Sequence, residues 1–317
     1  MANKDATETL AADSDGIAKA ARVLRDGGLV AVPTETVYGL AARADSAAAV
    51  ARIYEAKGRP SFNPLIVHVR SRADAERYAE FAPEAAELAQ QHWPGPLTLV
   101  LPKRAEARLA AAVTAGLPTV ALRCPQHPVM QALLDRCAFP LAAPSANPSG
   151  QVSPTRADHV QALAGRIDLI LDDGEVARRG IESTIVAVRA DGSLETLRPG
   201  PIDLEHASSL STRAVSVEAP GQTTSHYSPG KPLRLNAREV APDDFVIGFG
   251  PMTADCNLSP SGDLQEAAAR LYACLHEAAA SPKPSVAVAE IPDEGLGAAI
   301  NDRLRRAAAP RQSSSGS

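Results

Sequence analysis

The sequence is poor in several features that particular classes of protein require. Its 317 residues include only four cysteines, which show no Cys-x-x-Cys pair and no spacing typical of zinc, so we expect a reducing compartment and no metal centre. Aromatic residues make up 3% of the chain and the formal net charge is -5, which argues against a protein that holds nucleic acid through a basic face. No apolar run approaches the ~20 residues needed to span a bilayer, and the polar N-terminus resembles neither a signal nor a transit peptide. A soluble, cytoplasmic protein is therefore expected.

The usual nucleotide-binding and metalloprotease motifs are absent as well. The chain contains no Gly-x-x-x-x-Gly-Lys-Ser/Thr phosphate loop, no Gly-x-Gly-x-x-Gly turn and no His-Glu-x-x-His pair. What remains is an ordinary globular composition, 45% hydrophobic and 22% charged. Because the chain as a whole is acidic, any phosphate site has to be a local cluster of cations.

Apolar segments of strand and helix length alternate along the first two-thirds of the chain. Strands are predicted at 29–32, 65–69, 97–101, 119–123, 140–143, 169–172, 183–188 and 194–197, and helices at 46–57, 71–92, 127–137 and 156–164, after a first helix that contains Ile17 and Leu24. This alternation predicts an α/β fold.

The length of the chain exceeds what one hydrophobic core usually supports, so two domains are expected. Beyond Leu210 a stretch rich in proline and glycine precedes a second series of strands (231–235, 245–249 and 286–291) and helices (263–280 and 296–308). We therefore expect a disordered tail at 1–12, a first domain at 13–210, a linker at 211–230, a small C-terminal α/β domain at 231–310 and a disordered tail at 311–317.

Polar and cationic residues recur at the ends of predicted strands, where ligands of α/β proteins usually bind. They occur at Pro33–Leu40, at Lys57–Arg59 with Asn63 and His68, at Arg123, at Ala142–Gly150 followed by Ser153, and at Glu182–Thr184 with Leu197–Gly200. Hydroxyls, paired cations and the backbone amides of small residues are groups that bind polar ligands and phosphates. Each cluster alone also has a structural explanation: a turn whose threonines bond their own backbone, cations that favour a helix dipole, or an arginine that extends to solvent.

Together the clusters form longer motifs that run from Pro33 to Gly200. They are PTETVYGLAA, KGRPSFNPLIVHV, PGPLTLVL, ALRCPQHP, PLAAPSANPSGQVSPT, ESTIV and LRPG. In these motifs the chain resembles the YrdC-like family, the threonylcarbamoyl-AMP synthases, and the segment SHYSP with the domain after it resembles the two-domain form of that family. The resemblance implies a twisted mixed sheet with helices around a basic cleft, plus a small C-terminal α/β domain.

The resemblance also implies a nucleotidyltransferase reaction. The family condenses L-threonine, bicarbonate or carbon dioxide, and ATP into L-threonylcarbamoyl-AMP and pyrophosphate. The product feeds the threonylcarbamoyladenosine modification of tRNA through a separate transferase complex. Magnesium is expected to enter with ATP, because no carboxylate cage is visible in the sequence, and neither stable nucleic-acid binding nor membrane binding is implied. Since carbamates lose carbon dioxide readily, the site has to exclude water and act through positioning and charge.

Family positions that the chain retains imply a role for each site residue. For L-threonine they are Thr36, His68, Arg123, Ala143 and Ser183, and for ATP they are Arg59, Asn63, Thr119, Ser145, Ser153, Arg198 and Tyr227. Lys57 and Arg59 are the implied catalytic residues, with Lys57 neutralising charge on the phosphates or on the carbamate as pyrophosphate leaves. Arg123 is the implied carboxylate partner because its planar fork suits bidentate binding. The linker is expected to reach back over the cleft, where Tyr227 would bond to ATP and shield the carbamate.

Two other functions are compatible with parts of the pattern. Carbamoyl-adenylate chemistry in hydrogenase maturation uses a similar domain, but that architecture adds an acylphosphatase-like region and cysteine-rich zinc modules that this sequence lacks. An RNA-binding module is the alternative outside catalysis, and the acidic charge and few aromatic residues count against it. A gel shift with tRNA beside an ATP-dependent pyrophosphate assay distinguishes these functions.

Overall fold

The computed structural model describes residues 7–174, 177, 179–204, 208–209, 217–222 and 225–310, within which helices surround two β-sheets. The larger sheet contains β1 (Glu8–Ala11), β2 (Val30–Val32), β3 (Gly39–Arg43), β4 (Ile66–His68), β5 (Leu97–Pro102), β6 (Thr119–Arg123), β7 (Leu141–Ala142), β8 (Leu169–Asp172), β9 (Thr184–Val188), β10 (Leu194–Arg198) and β11 (Ser208–Ser209). The smaller sheet contains β12 (Leu233–Arg234), β13 (Asp244–Gly248), β14 (Cys256–Asn257) and β15 (Ser285–Val288). The α-helices are α1 (Ser14–Arg25), α2 (Ala47–Lys57), α3 (Arg72–Ala75), α4 (Pro83–His92), α5 (Pro128–Cys137), α6 (Leu264–Ala280) and α7 (Leu296–Ala308), and 3-10 helices span Ala111–Val113 and Ala157–Leu163.

The larger sheet is mixed. Its strand order over the described residues is β1-β8-β2-β3-β7-β4-β6-β5-β9-β10-β11, with parallel pairs such as β4–β6 and β5–β9 and antiparallel pairs such as β5–β6 and β9–β10. The register between β4 and β6 sets His68 beside Arg123, at the carboxyl ends of these two central strands. The predicted fold class, a mixed α/β sheet with a small C-terminal α/β unit, is confirmed.

Both faces of the larger sheet are covered. Alternate residues of a strand point to opposite faces, and β2 shows this directly. Val30 and Val32 pack into one buried cluster with Leu24 of α1, whereas Ala31 packs into another with Ile53 of α2. A strand buried on both faces reads as a continuous apolar run, which is why 29–32 was predictable from sequence.

The smaller sheet shares its core with the first part of the chain. Its strands run parallel in the order β12-β15-β13-β14, with α6 and α7 packed together beside them. The buried cluster that includes Leu271 of α6 and Ile300 of α7 also contains Val37, Ile181 and Tyr227. Apolar packing therefore ties the C-terminal unit to the segments that follow β2 and precede β9.

Two cations that the sequence suggested as functional residues, Lys57 and Arg59, lie at the end of helix α2 and just after it. Its N-cap Ser46 accepts a hydrogen bond from the Ala49 amide, and it ends at Lys57 because Gly58 adopts a left-handed conformation with φ 58°. A residue with a Cβ disfavours that conformation, so glycine is the natural C-cap here. The turn directs Lys57 and Arg59 toward the same region of the sheet.

Several predicted elements were wrong in extent. Residues 8–11 form β1, which pairs in parallel with β8, so the predicted disordered tail at 1–12 does not hold for them; residues 1–6 and 311–317 lie outside the described residues. The single helix predicted over 71–92 is two helices: α3 ends at Ala75, and α4 begins at Pro83, where the fixed φ of proline suits the first turn of a helix. The segment 39–43 is β3, although its motif suggested a turn, and the helix predicted at 156–164 is a 3-10 helix.

The cysteines also differ from expectation. Cys256 of β14 and Cys274 of α6 form a disulfide, with their Cα atoms 5.7 Å apart, whereas Cys124 and Cys137 are free and buried. The two bonded cysteines are separated by 18 positions and meet only because β14 packs on α6, so their spacing carried no signal. In the described part of the chain no helix is both long and apolar enough to cross a membrane.

Candidate active site

A cavity opens near the ends of β2, β4, β6 and β10 and the start of β9. Of the residues that the sequence suggested, those lining it are Thr36, Arg59, His68, Arg123, Ala143, Ser145, Ser183, Arg198 and Tyr227. Segments that are far apart in sequence thus converge on one site.

Four other suggested residues do not line this cavity. Lys57, Asn63 and Ser153 are buried behind it and bond residues that do line it or lie next to those that do. Thr119 is at the other end of β6 from Arg123, where it pairs with Pro102. The structure therefore brings the first three to the site and places Thr119 away from it.

Arg123 at the end of β6 is buried and partnered. Its Nη2 donates to Glu35 Oε1 at 2.7 Å and its Nη1 donates to Thr36 Oγ1 at 3.0 Å. Burial alone would raise the pKa of the Glu35 carboxyl, but the charge and hydrogen bond of Arg123 outweigh it and hold that pKa below its usual value. The positive charge of Arg123 is therefore balanced by Glu35. Glu35 was not among the site residues inferred from the sequence.

His68 is the last residue of β4 and is buried next to Arg123. Burial first, and the charge of Arg123 second, lower the pKa of its imidazole to about 3. Its Nδ1 has no hydrogen-bond partner among the described residues. The site thus contains a neutral imidazole with an unused polar atom.

Arg198 and Ser183 form one wall of the cavity. Arg198 ends β10, and its Nε and Nη2 donate to the Ser183 carbonyl at 3.1 and 2.9 Å, while Nη2 also reaches Ser183 Oγ at 3.1 Å. Ser183 Oγ in turn bonds Thr98 Oγ1 at 2.8 Å. These contacts fix the serine hydroxyl and the guanidinium relative to each other.

Arg59 occupies the loop after α2. Its Nη2 donates to Asn63 Oδ1 and to the Pro64 carbonyl, both at 2.7 Å, and its Nε donates to the Asn63 carbonyl at 3.0 Å. Burial lowers the pKa of Arg59 to about 10. Asn63 therefore orients the arginine, although the sequence suggested a direct contact with ATP.

Lys57 is buried under the serine-rich loop. Its Nζ donates to the Ser145 carbonyl at 2.6 Å and to the Asn147 carbonyl. Burial, and then the neighbouring charge of Arg59, lower the pKa of Lys57 well below its usual value. The lysine thus anchors the loop that carries Ser145.

The cleft is basic as predicted. Arg59 and Arg198 bond only neutral oxygens, and neither forms an ion pair with any residue that the structure describes. Glu182 attracts Arg198 electrostatically, but its carboxylate is already paired with Arg303. Because a buried unpaired charge is costly, this excess of positive charge prepares the cavity for an anion.

A second buried carboxylate, Glu182, is next to Ser183 and also lines the cavity. The sequence placed it in a polar cluster at a strand end but assigned it no role. Glu182 accepts from Ser153 Oγ at 2.6 Å and from Tyr272 Oη at 2.7 Å, and it pairs with Arg303 Nε at 3.3 Å. Burial alone would raise the pKa of Glu182, but Arg303, then Arg198, and these hydrogen bonds hold it at about 2. Glu182 is the first residue of the motif ESTIV, yet its partners on α6 and α7 could not be read from local pattern.

The predicted linker contributes a tyrosine to the cavity. Of the linker, the structure describes 217–222 and 225–230, so 211–216, 223 and 224 lie outside the described residues. Tyr227 is buried with φ 63°, and its ring stacks on Tyr272 with centroids 5.5 Å apart. The adjacent His226 also lines the cavity, and burial lowers the pKa of its imidazole to about 3.

Comparison with known proteins agrees with this geometry. Residues 22–200 match the Sua5/YciO/YrdC family model, described as "Telomere recombination", and residues 184–309 match the model described as "Threonylcarbamoyl-AMP synthase, C-terminal domain". The chain is 39% identical to the threonylcarbamoyl-AMP synthase of Bacillus subtilis (strain 168) over 97% of each protein. It is also similar to the crystal structure of P. abyssi Sua5 complexed with L-threonine, with a TM-score of 0.84 and 35% identity over 95% of this chain and 96% of that chain.

More distant similarity covers a smaller share of the chain. A full-length HypF structure in a phosphate- and nucleotide-bound form is 23% identical, with a TM-score of 0.53, over 60% of this chain and 30% of that chain. That similarity shows a common fold alone, whereas the matches above span both parts of the chain. The chain belongs to the threonylcarbamoyl-AMP synthase family, in its two-domain form.

Proposed function

We propose that the chain joins L-threonine, bicarbonate or carbon dioxide, and ATP into L-threonylcarbamoyl-AMP, with release of pyrophosphate. The observation that carries the proposal is one cavity with two kinds of cation. Arg123 is balanced by Glu35 and surrounded by hydroxyls, whereas Arg59 and Arg198 are buried without an ion-pair partner in the described residues. The first suits a zwitterionic amino acid and the second suits a triphosphate.

L-threonine is proposed to bind at Thr36, His68, Arg123, Ala143 and Ser183. Arg123 would donate to the carboxylate, and the neutral His68 and the fixed Ser183 hydroxyl would bond the remaining polar groups of the substrate. Ala143 has no polar side-chain atom, so only its backbone could contribute. The register that sets His68 beside Arg123, and the bond from Arg123 to Thr36, support a single small subsite.

ATP is proposed to bind at Arg59, Asn63, Thr119, Ser145, Ser153, Arg198 and Tyr227. The unpaired charges of Arg59 and Arg198 support the phosphate part of this assignment. Asn63 and Ser153 would act by holding Arg59 and Glu182, since those are the groups that they bond. The position of Thr119 at the far end of β6 gives its assignment no support.

The reaction needs charge more than a protein nucleophile. The neutral threonine amine adds to carbon dioxide and loses one proton, or condenses with bicarbonate and releases one water. An oxygen of the resulting carbamate then forms a bond to the α-phosphorus, and the bond from that phosphorus to the pyrophosphate oxygen breaks. Negative charge moves onto pyrophosphate, where Arg59 and Arg198 would stabilise it. Lys57 is proposed as a catalytic residue with Arg59, and its bonds to the Ser145 and Asn147 carbonyls suggest that it acts by shaping the phosphate-binding loop.

Magnesium is proposed as part of the nucleotide substrate. Within the described ranges no group of three or more His, Cys, Asp or Glu residues could hold a metal ion. The polar side chains that line the cavity are mostly cations and hydroxyls, and the carboxylate among them, Glu182, is already paired with Arg303. Such a donor set does not suit a resident Mg²⁺, which prefers carboxylate and water oxygens. Oxygen atoms of the ATP phosphates, together with water, would instead be the ligands of the Mg²⁺ ion.

The domains expected from the sequence are proposed to have separate roles. Residues 13–210 would form the catalytic domain, 211–230 a linker that acts as a lid, and 231–310 a small supporting domain. Burial of Tyr227 against Tyr272, in a cavity shared with Arg198, supports the lid. The adenylate would then be passed to a tRNA threonylcarbamoyl transferase complex.

Pyrophosphate release tests the proposed function. Release should require ATP, L-threonine and bicarbonate together, and omission of any one should reduce it to background. Arg198→Met should reduce the rate, because it removes one unpaired buried cation, whereas Arg108→Met serves as a control on an exposed arginine outside the cavity. Release at full rate without an amino acid would contradict the assignment.

A further inference from the structure

Arg303 is a fully buried arginine on α7, and its side chain contacts residues at the wall of the cavity. Its Nε pairs with Glu182 Oε2 at 3.3 Å, and its Nη1 donates to the carbonyl of Pro199. None of its side chain is exposed. A buried guanidinium is costly unless it is paired and hydrogen-bonded, so these contacts determine where the side chain lies.

Two of the groups that Arg303 contacts lie at the ends of strands in the cavity wall, and its Nη1 also bonds Asp302 Oδ2 at 3.3 Å. Glu182 precedes Ser183 at the start of β9, and Pro199 follows Arg198 at the end of β10. These strands pair antiparallel, with an irregular register between Thr196 and Arg198. The ladder alone therefore does not fix the relative position of Ser183 and Arg198, and Arg303 joins the two strand ends from behind the cavity.

The rest of the C-terminal unit reinforces this contact. Tyr272 of α6 donates to the same Glu182 carboxylate at 2.7 Å. The Cζ atom of Arg303 lies 5.9 Å from the centre of the Tyr227 ring, and Tyr227 lines the cavity. Three parts of the cavity wall, at Ser183, Arg198 and Tyr227, are thus supported by α6 and α7.

We propose that Arg303 is a positioning residue for the reaction, and that the C-terminal unit completes the nucleotide end of the cavity through it. Arg303 contacts no proposed substrate group itself. It acts by holding Glu182 and the Pro199 carbonyl, and thereby the angle at which Arg198 meets the phosphates. The inference rests on the proposed function only in taking ATP as the ligand of Arg198.

Arg303→Lys is the first test. Lysine keeps the charge, but its compact ammonium cannot span Glu182 and the Pro199 carbonyl as the planar fork does. The variant should fold, and its KM for ATP should rise about ten-fold, the size expected for loss of a coupled contact. Arg305→Lys is the matched control on the same helix, because Arg305 is 55% exposed and pairs with an exposed Asp293. A folded Arg303→Lys enzyme with the KM of the wild type would overturn the proposal.

A double-mutant cycle tests the route of the effect. If Arg303 acts through Glu182, Arg303→Met and Glu182→Gln should each lower kcat/KM for ATP, and the double variant should lose no more than Arg303→Met does alone. Losses that multiply would show that the two residues act independently. Circular dichroism and melting curves show whether each variant is folded. If Arg303→Met does not fold, the same cycle is measured with Arg303→Lys in its place.

The outcome can be distinguished from failure of the proposed function. If wild-type protein binds ATP but forms no threonylcarbamoyl adenylate, the proposed function fails. The dissociation constant of ATP for wild type, Arg303→Lys and Arg305→Lys, measured by calorimetry, then still tests Arg303. If wild-type protein binds no ATP, both proposals fail together.

Discussion

Adding one methyl group at Gly221 should weaken the ATP site without a specific loss of stability. Gly221 has φ 87°, and a Cβ built there would lie 2.8 Å from Arg198 Cδ and 3.4 Å from both Arg198 Nη1 and Tyr227 Oη. The first distance is shorter than any normal carbon contact, so in Gly221→Ala the arginine side chain has to move. Both groups that it disturbs are proposed to bind ATP.

The size of the effect follows from what Arg198 loses. A hydrogen bond to a charged group contributes about 1.5–3 kcal/mol, and each ~1.4 kcal/mol is a factor of ten. Displacing Arg198 from one phosphate contact should therefore reduce kcat/KM for ATP by roughly ten- to one-hundred-fold. The KM for L-threonine should change much less, because Arg123 and His68 lie on other strands.

Gly250→Ala controls for backbone strain. Gly250 has φ 78°, and a Cβ there meets nothing within 4 Å. Each variant should lose about 1–2 kcal/mol because a left-handed conformation is unfavourable for alanine. Melting temperatures should thus fall by similar amounts, while only Gly221→Ala loses activity toward ATP. Equal ATP kinetics in the two variants would show that Gly221 does not pack against Arg198 in the working enzyme.

Three further perturbations probe other parts of the site. Arg123→Ala, made in a Glu35→Gln background so that no buried carboxylate is left unpaired, should raise the KM for L-threonine by an amount equivalent to about 2–5 kcal/mol; an unchanged KM would remove Arg123 from the subsite. Lys57→Ala should depress kcat more than either KM, because the loop that it anchors carries Ser145, which is proposed to bind ATP, and the position of that loop matters most as charge moves onto pyrophosphate; a change in KM alone would point to ground-state binding instead. His68 has a pKa of about 3 in the folded protein, below the unfolded value, so its contribution to the free energy of unfolding is present above about pH 6.5 and is lost as pH falls toward 3. His68→Asn should reduce the slope of that loss by up to about 1.4 kcal/mol per pH unit, as urea titrations at several pH values would show, and an unchanged slope would mean that His68 is not buried in its neutral form.

Local pattern predicted the parts of this molecule that depend on neighbours in sequence. The apolar run at 29–32 and the alternation at 65–69 became β2 and β4, and the arginine at the end of 119–123 faces the cavity as its position suggested. Most residues inferred by resemblance line the same cavity. Such features are readable because strand burial and strand ends leave a signature within a few positions.

What could not be predicted depends on contacts between distant segments. β1 exists because residues 8–11 pair with β8, more than 150 positions away, and the segment itself is too short and polar to signal a strand. The sequence placed Glu182 in a polar cluster at a strand end but gave it no role, since its partners Tyr272 and Arg303 come from α6 and α7. The same holds for Glu35, whose role is apparent only once Arg123 is placed beside it.

The most direct test of the central claim is mass spectrometry of the product formed from ¹³C-labelled bicarbonate, ATP and single amino acids. The account predicts an adenylate that carries one labelled carbon and the threonine side chain, formed together with pyrophosphate and only when L-threonine is supplied. An unlabelled adenylate, or a labelled one formed equally well with other amino acids, would contradict it.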